Sequence, residues 1–579
     1  MKTIYWHWNK YLLAIPLFIF TFVLICVNVN IGLRSKRHVR SSENGAVPFL
    51  DENKYGNFEP PEEPPGDGPG EGGKPYILPP SEENAVEVSL GKYKGICVRA
   101  SDDISLTRTI PDTRPEECKY WNYPEHMGLT VSVVLVFHNE GFSTLMRNVH
   151  TILKRSPPEM IEEIILVDDC SQFEDTGGKL EKYIERFKGK VKIYRNTERA
   201  GLIRARNFGA KKSIGDVVVF LDAHCEVNRN WLPPLLAPIY HNRTTMTVPY
   251  IDKIFHKTFE YRAVYATSSL KVGIWEWGLF YKEMDFNKDL AKQRATKTEP
   301  YSSPTHAGGL FAIDRKFFEQ LGYYDDGLQV WGGEQYELSF KIWQCGGSIQ
   351  WVPCSRVGHI YRGGVKNQFR VPDKCTIKNG NTNYVSRQNH KRVIEVWWDD
   401  KYKDYFYTRE PLVRNVDHGD ISKQLEFKER NKCKSFQWYM DNVAKDQLTM
   451  YPALPPNFKW GALKNVGTGT CIDSNGGPGS KPGLYRCHGI GNQLFRLNEE
   501  GQLGVGERCI DVQSVVKVIV CPEKRVDGPW EYDEEKLLLF HSRLKKCLAV
   551  NPTTKELVTR KCDANNEFCQ WNFKRIGDL

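Results

Sequence analysis

Residues 217–226 read VVVFLDAHCE. The opening run is five apolar residues, three of them β-branched. An unbroken apolar run of this kind marks a strand buried on both faces, as in parallel sheets covered by helices. The run ends on Asp222 and His224. On extended backbone, residues i and i+2 project from one face. A carboxylate and an imidazole then converge, a donor pair suited to a divalent cation. Spacing alone also fits two solvated polar residues, but the position at the end of a buried strand favours the cation.

The flanking sequence repeats the pattern. Val131–Phe137 (VSVVLVF) is a second buried-strand run, residues 164–167 a third and residues 191–194 a short fourth. Residues 143–155 and 202–213 have helical spacing, the first stopped by Pro157-Pro158. Strands alternating with helices predict an α/β domain with a parallel sheet. Ligands in such sheets bind at the carboxyl ends of the strands. Three polar groups occupy those ends: His138-Asn139-Glu140, Asp168-Asp169 and Asp222-Ala223-His224. Asp169 suits hydrogen bonding to a base or ribose. Arg199 and Arg206 suit phosphate or sugar contacts, although arginines on a surface helix also fit plain solvation.

The chain has 579 residues, room for about three to five domains. With 40% hydrophobic and 26% charged residues, most of it can bury a core, which excludes wholesale disorder. A single long apolar run excludes a polytopic membrane protein. The net charge of +9 comes without a Lys/Arg block, so no nucleic-acid partner is expected. Sixteen cysteines point to disulfides and an oxidising compartment. The apolar run, residues 11–33, is long enough for one membrane crossing, with Trp6, Trp8 and Tyr11 at the interface. A cleaved signal peptide is the competing reading. The length of the run and the lack of a small-x-small site favour an uncleaved anchor. Arg34, Lys36, Arg37 and Arg40 after the run oppose a cytoplasmic N-terminus. A cysteine-rich remainder that must oxidise in a lumen favours it, and that orientation is adopted. Residues 34–94 are read as a flexible stem, because Pro60, Pro61, Pro64, Pro65, Pro69, Pro79 and Pro80 lie among Glu, Asp and Gly.

The C-terminal part repeats. Cys471-Ile472-Asp473, Cys509-Ile510-Asp511 and Cys547-Leu548-Ala549 start 38 residues apart. Cys487, Cys521 and Cys562 follow as second cysteines. Gln493-Leu494-Phe495 and Gln570-Trp571 close the first and third repeats; the second has Gly528-Pro529-Trp530 instead. Three such units predict an all-β trefoil over residues 460–579.

Several long blocks carry a family resemblance: LVFHNEGFSTLMR (135–147), ILVDDCS (165–171), FLDAHCE (220–226), SPTHAGGLFAID (303–314), WGGEQYELSFKIWQCGG (331–347) and PCSRVGHIYR (353–362). In this order they resemble the polypeptide N-acetylgalactosaminyltransferases, and the chain looks most like the glycopeptide-preferring branch. The resemblance implies a lumenal GT-A catalytic domain over residues 95–445, a linker over 446–459 and a ricin-type lectin trefoil, behind a cytoplasmic tail of residues 1–10. It implies transfer of GalNAc from UDP-GalNAc to Ser/Thr of proteins or glycopeptides with retention of configuration, at the Golgi membrane, with manganese. Asp222 and His224 match the metal pair and His359 the third ligand. Asp169 and Arg199 match nucleotide contacts and Arg362 a diphosphate contact. Arg206, Gly309 and Glu334 match positions around the donor sugar, and Trp331 the tryptophan that closes over it. Glu334 is also placed to cap the helix that follows. Gln335 stands where many members have Asn, and GGVKNQF after Arg362 lacks their His-Pro-Tyr.

Trp275, Trp277 and Tyr361 match acceptor-groove aromatics, although their pattern also fits core packing. Asp473 and Asp511 match lectin residues that receive GalNAc hydroxyls; Ala549 cannot, which leaves the first repeat as the best sugar site. A trefoil kept only for its fold stands beside this reading. The implied disulfides are Cys118–Cys354, Cys345–Cys433, Cys471–Cys487, Cys509–Cys521 and Cys547–Cys562. Asn242-Arg243-Thr244 is the only N-glycosylation sequon with an allowed middle residue. A catalytically decayed GalNAc-binding lectin is the alternative function. The intact Asp222, His224, His359 and Glu334 oppose it.

Overall fold

The computed structural model describes residues 48–64, 66–265, 270–365, 382–521 and 527–574. The apolar run at 11–33, read as a membrane anchor, lies outside them. Among the described residues no helix is long and apolar enough to cross a membrane.

Among the described residues, the N-terminal half is built on a ten-stranded mixed sheet. Its main elements are β1 (Val131–Phe137), α1 (Phe142–Lys154), β2 (Ile161–Asp168), β3 (Val191–Arg195), α2 (Leu202–Lys212), β4 (Val217–Asp222), β5 (Cys225–Val227), β6 (Thr245–Phe255), β7 (Phe311–Asp314), α3 (Glu334–Gln344) and β8 (Ser348–Tyr361). The strands run in the order β3-β2-β1-β4-β7-β6-β8, with Tyr301–Ser302 at the edge beyond β8. β3, β2, β1 and β4 are parallel. β7 is antiparallel to β4, and β6 runs parallel to β8. The parallel runs lie in the centre because their side chains are apolar on both faces. Val133 and Leu135 of β1 pack with Leu145 and Met146 of α1, whereas Val134 packs with Ile203 and Ala205 of α2. From β1 the chain builds outward to β3 and then returns to β4 on the other side of β1. That reversal is where an open α/β sheet forms its ligand crevice. Register pairs Val136 with Asp222 and Phe137 with Asp168, so the three polar strand ends lie level.

The stem reading of residues 34–94 is corrected for its described part, residues 48–64 and 66–94. Phe49–Leu50 pairs antiparallel with Trp121–Asn122. Arg114 makes two bonds to Glu59, at 2.9 and 2.8 Å. Glu71 accepts from the amide and hydroxyl of Thr109. The helix Glu83–Lys92 buries Val86 and Leu90 against Ile254, Phe259, Tyr261 and Ile360. Low apolar content was the basis for predicting disorder, but here ion pairs and strand pairing fasten the segment instead. The first folded domain therefore starts well before residue 95. At its centre Arg108, fully buried, meets Glu226 at 2.9 and 2.8 Å and donates to the carbonyls of Gly70 and Phe259. Glu226→Ala would strand that guanidinium in the interior, at a cost of about 3–5 kcal/mol. Denaturant unfolding should show that loss, and proteolysis should newly cut within residues 48–94. Unchanged stability and cleavage would contradict this anchoring.

Among the described residues the trefoil has twelve strands, four per repeat, from Asn457–Asn465 to Trp571–Lys574. Trp530 Nε1 donates to the Ile510 carbonyl and Trp571 Nε1 to that of Leu548, each one residue after the first cysteine of its repeat. Gly528-Pro529-Trp530 thus places its indole as Gln570-Trp571 does. The five expected disulfides are all present. Cys170 is also disulfide-bonded, and Cys97, Cys225 and Cys569 are buried free thiols. The linker is fastened to both sides: Trp277 Nε1 donates to the Pro452 carbonyl, and the Tyr451 hydroxyl donates to Glu507 of the trefoil at 3.4 Å. Arg409, paired with Glu276, also donates across to the Gly506 carbonyl of the trefoil.

Candidate active site

β4 ends on Asp222, a tight turn sets His224, and β5 begins one residue later. β8 pairs with β5 so that His359 lies opposite Cys225. This crossing brings together three residues remote in sequence: ligand atoms of Asp222, His224 and His359 all lie within 4.8 Å of one another. His359 Nε2 is 3.1 Å from Asp222 Oδ2. His224 Nδ1 is 3.1 Å from Glu140 Oε2. One carboxylate and two imidazoles are donors suited to a first-row divalent ion. Gly309 backs the group, because a Cβ there would lie 2.8 Å from Asp222 Oδ2. The residues therefore fit a metal ion of the manganese type.

The surrounding charges hold the group ionised. Burial would raise the Asp222 carboxyl, but His359, Arg206 and His224 outweigh it and keep it well below the usual range. Burial opposes charge on Glu140 too, yet Arg362 and His224 pull it down to about 2. Burial lowers His224, and it lowers His138 to about 4, so the imidazoles favour their neutral forms.

Arg206, buried on α2, donates to the carbonyl of Gly308 at 3.0 Å. It also reaches Asp222 at 3.3 Å and Glu334 at 3.7 Å. Glu334 opens α3, and its Oε2 accepts from the Gly332 amide at 2.8 Å. Burial raises this carboxyl against the pull of Arg206. Glu334 is thus committed to its helix start and to Arg206, which suits a supporting group rather than a free nucleophile. Asp169 accepts from Asn196 Nδ2 and the Ala200 amide on one oxygen, and from the Gly201 amide and Arg199 on the other. Its carboxylate shapes the loop after β3, so a donor contact through it requires exchange of one of these bonds.

Trp331 is 62% exposed on a strap before Gly332 and Gly333, whose φ angles of 99° and 88° favour glycine. Asn389 Nδ2, which the sequence reading missed, ties the strap down by donating to the carbonyls of Gln329 and Gly332 at 2.7 and 2.8 Å. Tyr361 is exposed, its ring 4.6 Å from that of His359. Trp275 and Trp277 do not join it. Both are fully buried, Trp275 against Phe340, Trp398, Phe436 and Tyr439, and Trp277 against Trp398, Tyr402 and Tyr405. The acceptor-groove assignment is withdrawn for these two; they are core aromatics at the base of the trefoil contact. In the trefoil, Asp511 is already paired with His541 at 3.0 Å and Arg543 at 2.6 Å. Asp473 accepts from the Asn475 amide on one oxygen, and His488 stands 3.8 Å from the other. Asn242 lies on the surface, its side chain capping Thr244.

A glycosyl transferase family 2 model matches residues 132–322 and a ricin-type beta-trefoil lectin model residues 459–571. A model described as the N-terminal domain of galactosyltransferase matches residues 289–363. N-acetylgalactosaminyltransferase 7 of Drosophila melanogaster is 54% identical over 525 residues, covering 90% of this chain and 88% of that protein. Its Homo sapiens counterpart is 44% identical over 547 residues, covering 92% and 81%. A crystal structure of GalNAc-T7 with UDP, GalNAc and Mn2+ matches at a TM-score of 0.83 and 42% identity, covering 94% of this chain and 99% of that one. With both halves matched at this identity and coverage, the chain belongs to the N-acetylgalactosaminyltransferase family.

Proposed function

We propose that the chain transfers GalNAc from UDP-GalNAc to Ser/Thr hydroxyls of proteins, with retention, and prefers acceptors that already carry GalNAc. The convergence of Asp222, His224 and His359 beside Arg206 and Glu334 carries this reading. In the reaction the acceptor oxygen bonds to the anomeric carbon and gives up its hydroxyl proton, the bond from that carbon to the phosphate oxygen breaks, and UDP departs. Manganese, when bound by the triad, offsets the charge that grows on the departing diphosphate. Arg362 faces the same crevice from the end of β8 and suits the diphosphate, while Arg206 and Gly309 border the space for the sugar. Glu334 holds Arg206 and the Trp331 strap in register. Trp331, swung over the donor, would exclude water and favour transfer over hydrolysis.

The run at 11–33 serves as a signal-anchor, with tail 1–10 cytoplasmic and both folded domains in the Golgi lumen as a type II protein. The disulfides agree with an oxidising lumen. In the trefoil Asp473 is the favoured GalNAc receiver, since the oxygens of Asp511 are held by His541 and Arg543.

A panel of naked and GalNAc-bearing peptides, assayed with UDP-GalNAc and manganese, tests the acceptor reading. Two places can hold a GalNAc already on the acceptor. The trefoil favours one many residues from the new site, because its binding makes the second event intramolecular across a long span. The catalytic groove favours one beside it. Asp473→Ala is expected to erase the long-range preference and to spare the adjacent one. Full activity on naked peptides would refute the glycopeptide preference. Loss of the adjacent preference in Asp473→Ala would move that recognition into the trefoil.

A further inference from the structure

Building on the triad as a cation site and Arg362 as a diphosphate contact, we propose that Glu140 is a positioning residue that couples the two. One buried carboxylate oxygen holds a metal ligand and a diphosphate ligand at once.

Glu140 is only 2% exposed. Its Oε2 accepts from His224 Nδ1 at 3.1 Å and from Arg362 Nη2 at 3.0 Å. The turn that presents it is fixed. Asn139, in the left-handed region at φ 52°, donates its amide to Ser171 Oγ at 2.8 Å and accepts the Gln172 amide at 2.7 Å. The loop after β1 is thus latched to the loop after β2, and Glu140 has little freedom to follow a moving partner.

Two consequences follow from the chemistry of the partners. A neutral imidazole carries one donor and one acceptor nitrogen. With the Nδ1 proton directed at a carboxylate, the lone pair resides on Nε2, the nitrogen left for a cation. This is the outer-sphere arrangement that fixes tautomer and ring orientation in metal sites. Arg362 is planar, and its other arm is fixed as well: Nη1 donates to the Tyr93 carbonyl at 2.8 Å, and the next amide, Gly363, donates to the Gly95 carbonyl at 3.1 Å. Held at both ends of its fork, the guanidinium is set before a diphosphate arrives, so less freedom is lost on binding. No other described side chain hydrogen-bonds both His224 and Arg362. Removing Glu140 should therefore damage two binding events that other single substitutions damage separately.

The test measures two affinities of the purified full chain. Manganese alone is titrated by the paramagnetic resonance of the free ion, and UDP alone by calorimetry in EDTA. His224→Ala and Arg362→Ala are the references: the first should lose manganese and keep metal-free UDP binding, the second the reverse. Glu140→Gln, matched in size, is expected to weaken manganese about 10- to 100-fold, the usual effect of losing an outer-shell partner, and to weaken metal-free UDP binding towards the Arg362→Ala value. Glu140→Asp keeps the charge but withdraws the oxygen. It should fail in the same two assays, and it replaces Glu140→Gln if that variant loses its native unfolding transition. If His224→Ala bound manganese normally, the cation-site reading itself would fail. If both references behave and Glu140→Gln moves only one affinity or neither, the coupling is wrong while the site stands.

Discussion

His224→Ala is expected to lower GalNAc transfer by about a thousandfold, at saturating donor and ordinary manganese, with the unfolding transition retained. The size follows from what is lost. The triad consists of Asp222, His224 and His359, with ligand atoms within 4.8 Å of one another, and two donors in place of three hold an ion poorly. The charge of the leaving diphosphate is then offset by Arg362 alone. The fold should survive, because His224 is held by a hydrogen bond to Glu140 and not by the apolar core. Asp222→Ala should match it in activity, but it also removes a partner of the buried Arg206 and should cost some stability. Near-normal turnover in His224→Ala would remove the triad from the mechanism.

Trp331→Ala is expected to cost about a hundredfold in transfer, the scale of a reacting pair held slightly out of place, and to raise the ratio of donor hydrolysis to transfer. Trp331 is 62% exposed beside the crevice, on a strap with two glycines next to it. Asn389 fixes the carbonyls on either side, while Gly332 and Gly333 adopt φ angles open mainly to glycine. The indole can swing while its backbone stays anchored. An unchanged transfer rate, with UDP-GalNAc hydrolysis also unchanged, would deny Trp331 its role over the donor.

The parallel half of the sheet was legible because its strands are apolar on both faces. VSVVLVF and VVVFL have no other stable place, and the structure matches them within a residue or so. Asp222 and His224 could be paired from their spacing, although a tight turn and not extended backbone brings them together. His359 could not, since only the pairing of β8 with β5 brings it across; the family resemblance supplied it. The far side of the sheet was illegible for a related reason. β6 is eleven residues long and β8 fourteen, and both mix polar residues into buried positions where neighbours satisfy them. Arg356 on β8 and Asp252 on β6 form such a pair at 2.5 Å. The largest misreading, residues 48–94, came from treating proline and charge as disorder when Arg114 supplies a buried partner for Glu59 and Arg108 one for the Gly70 carbonyl. Trp275 and Trp277 show the opposite limit: homologous position suggested a groove, and burial assigns them to the core. Glu140 was visible as a polar residue at a strand end, but its two partners lie 84 and 222 residues away.

The central claim is that this crevice moves GalNAc from UDP to a Ser/Thr hydroxyl with the help of the ion held by Asp222, His224 and His359. The most direct measurement incubates the purified full chain with UDP-GalNAc, manganese and a peptide bearing one GalNAc, and locates added sugar by fragmentation mass spectrometry. The account predicts one further N-acetylhexosamine on a Ser or Thr, absent with EDTA and absent with His224→Ala. Donor left intact, donor split to UDP and free sugar without addition to the peptide, or addition that survives both EDTA and His224→Ala would contradict it.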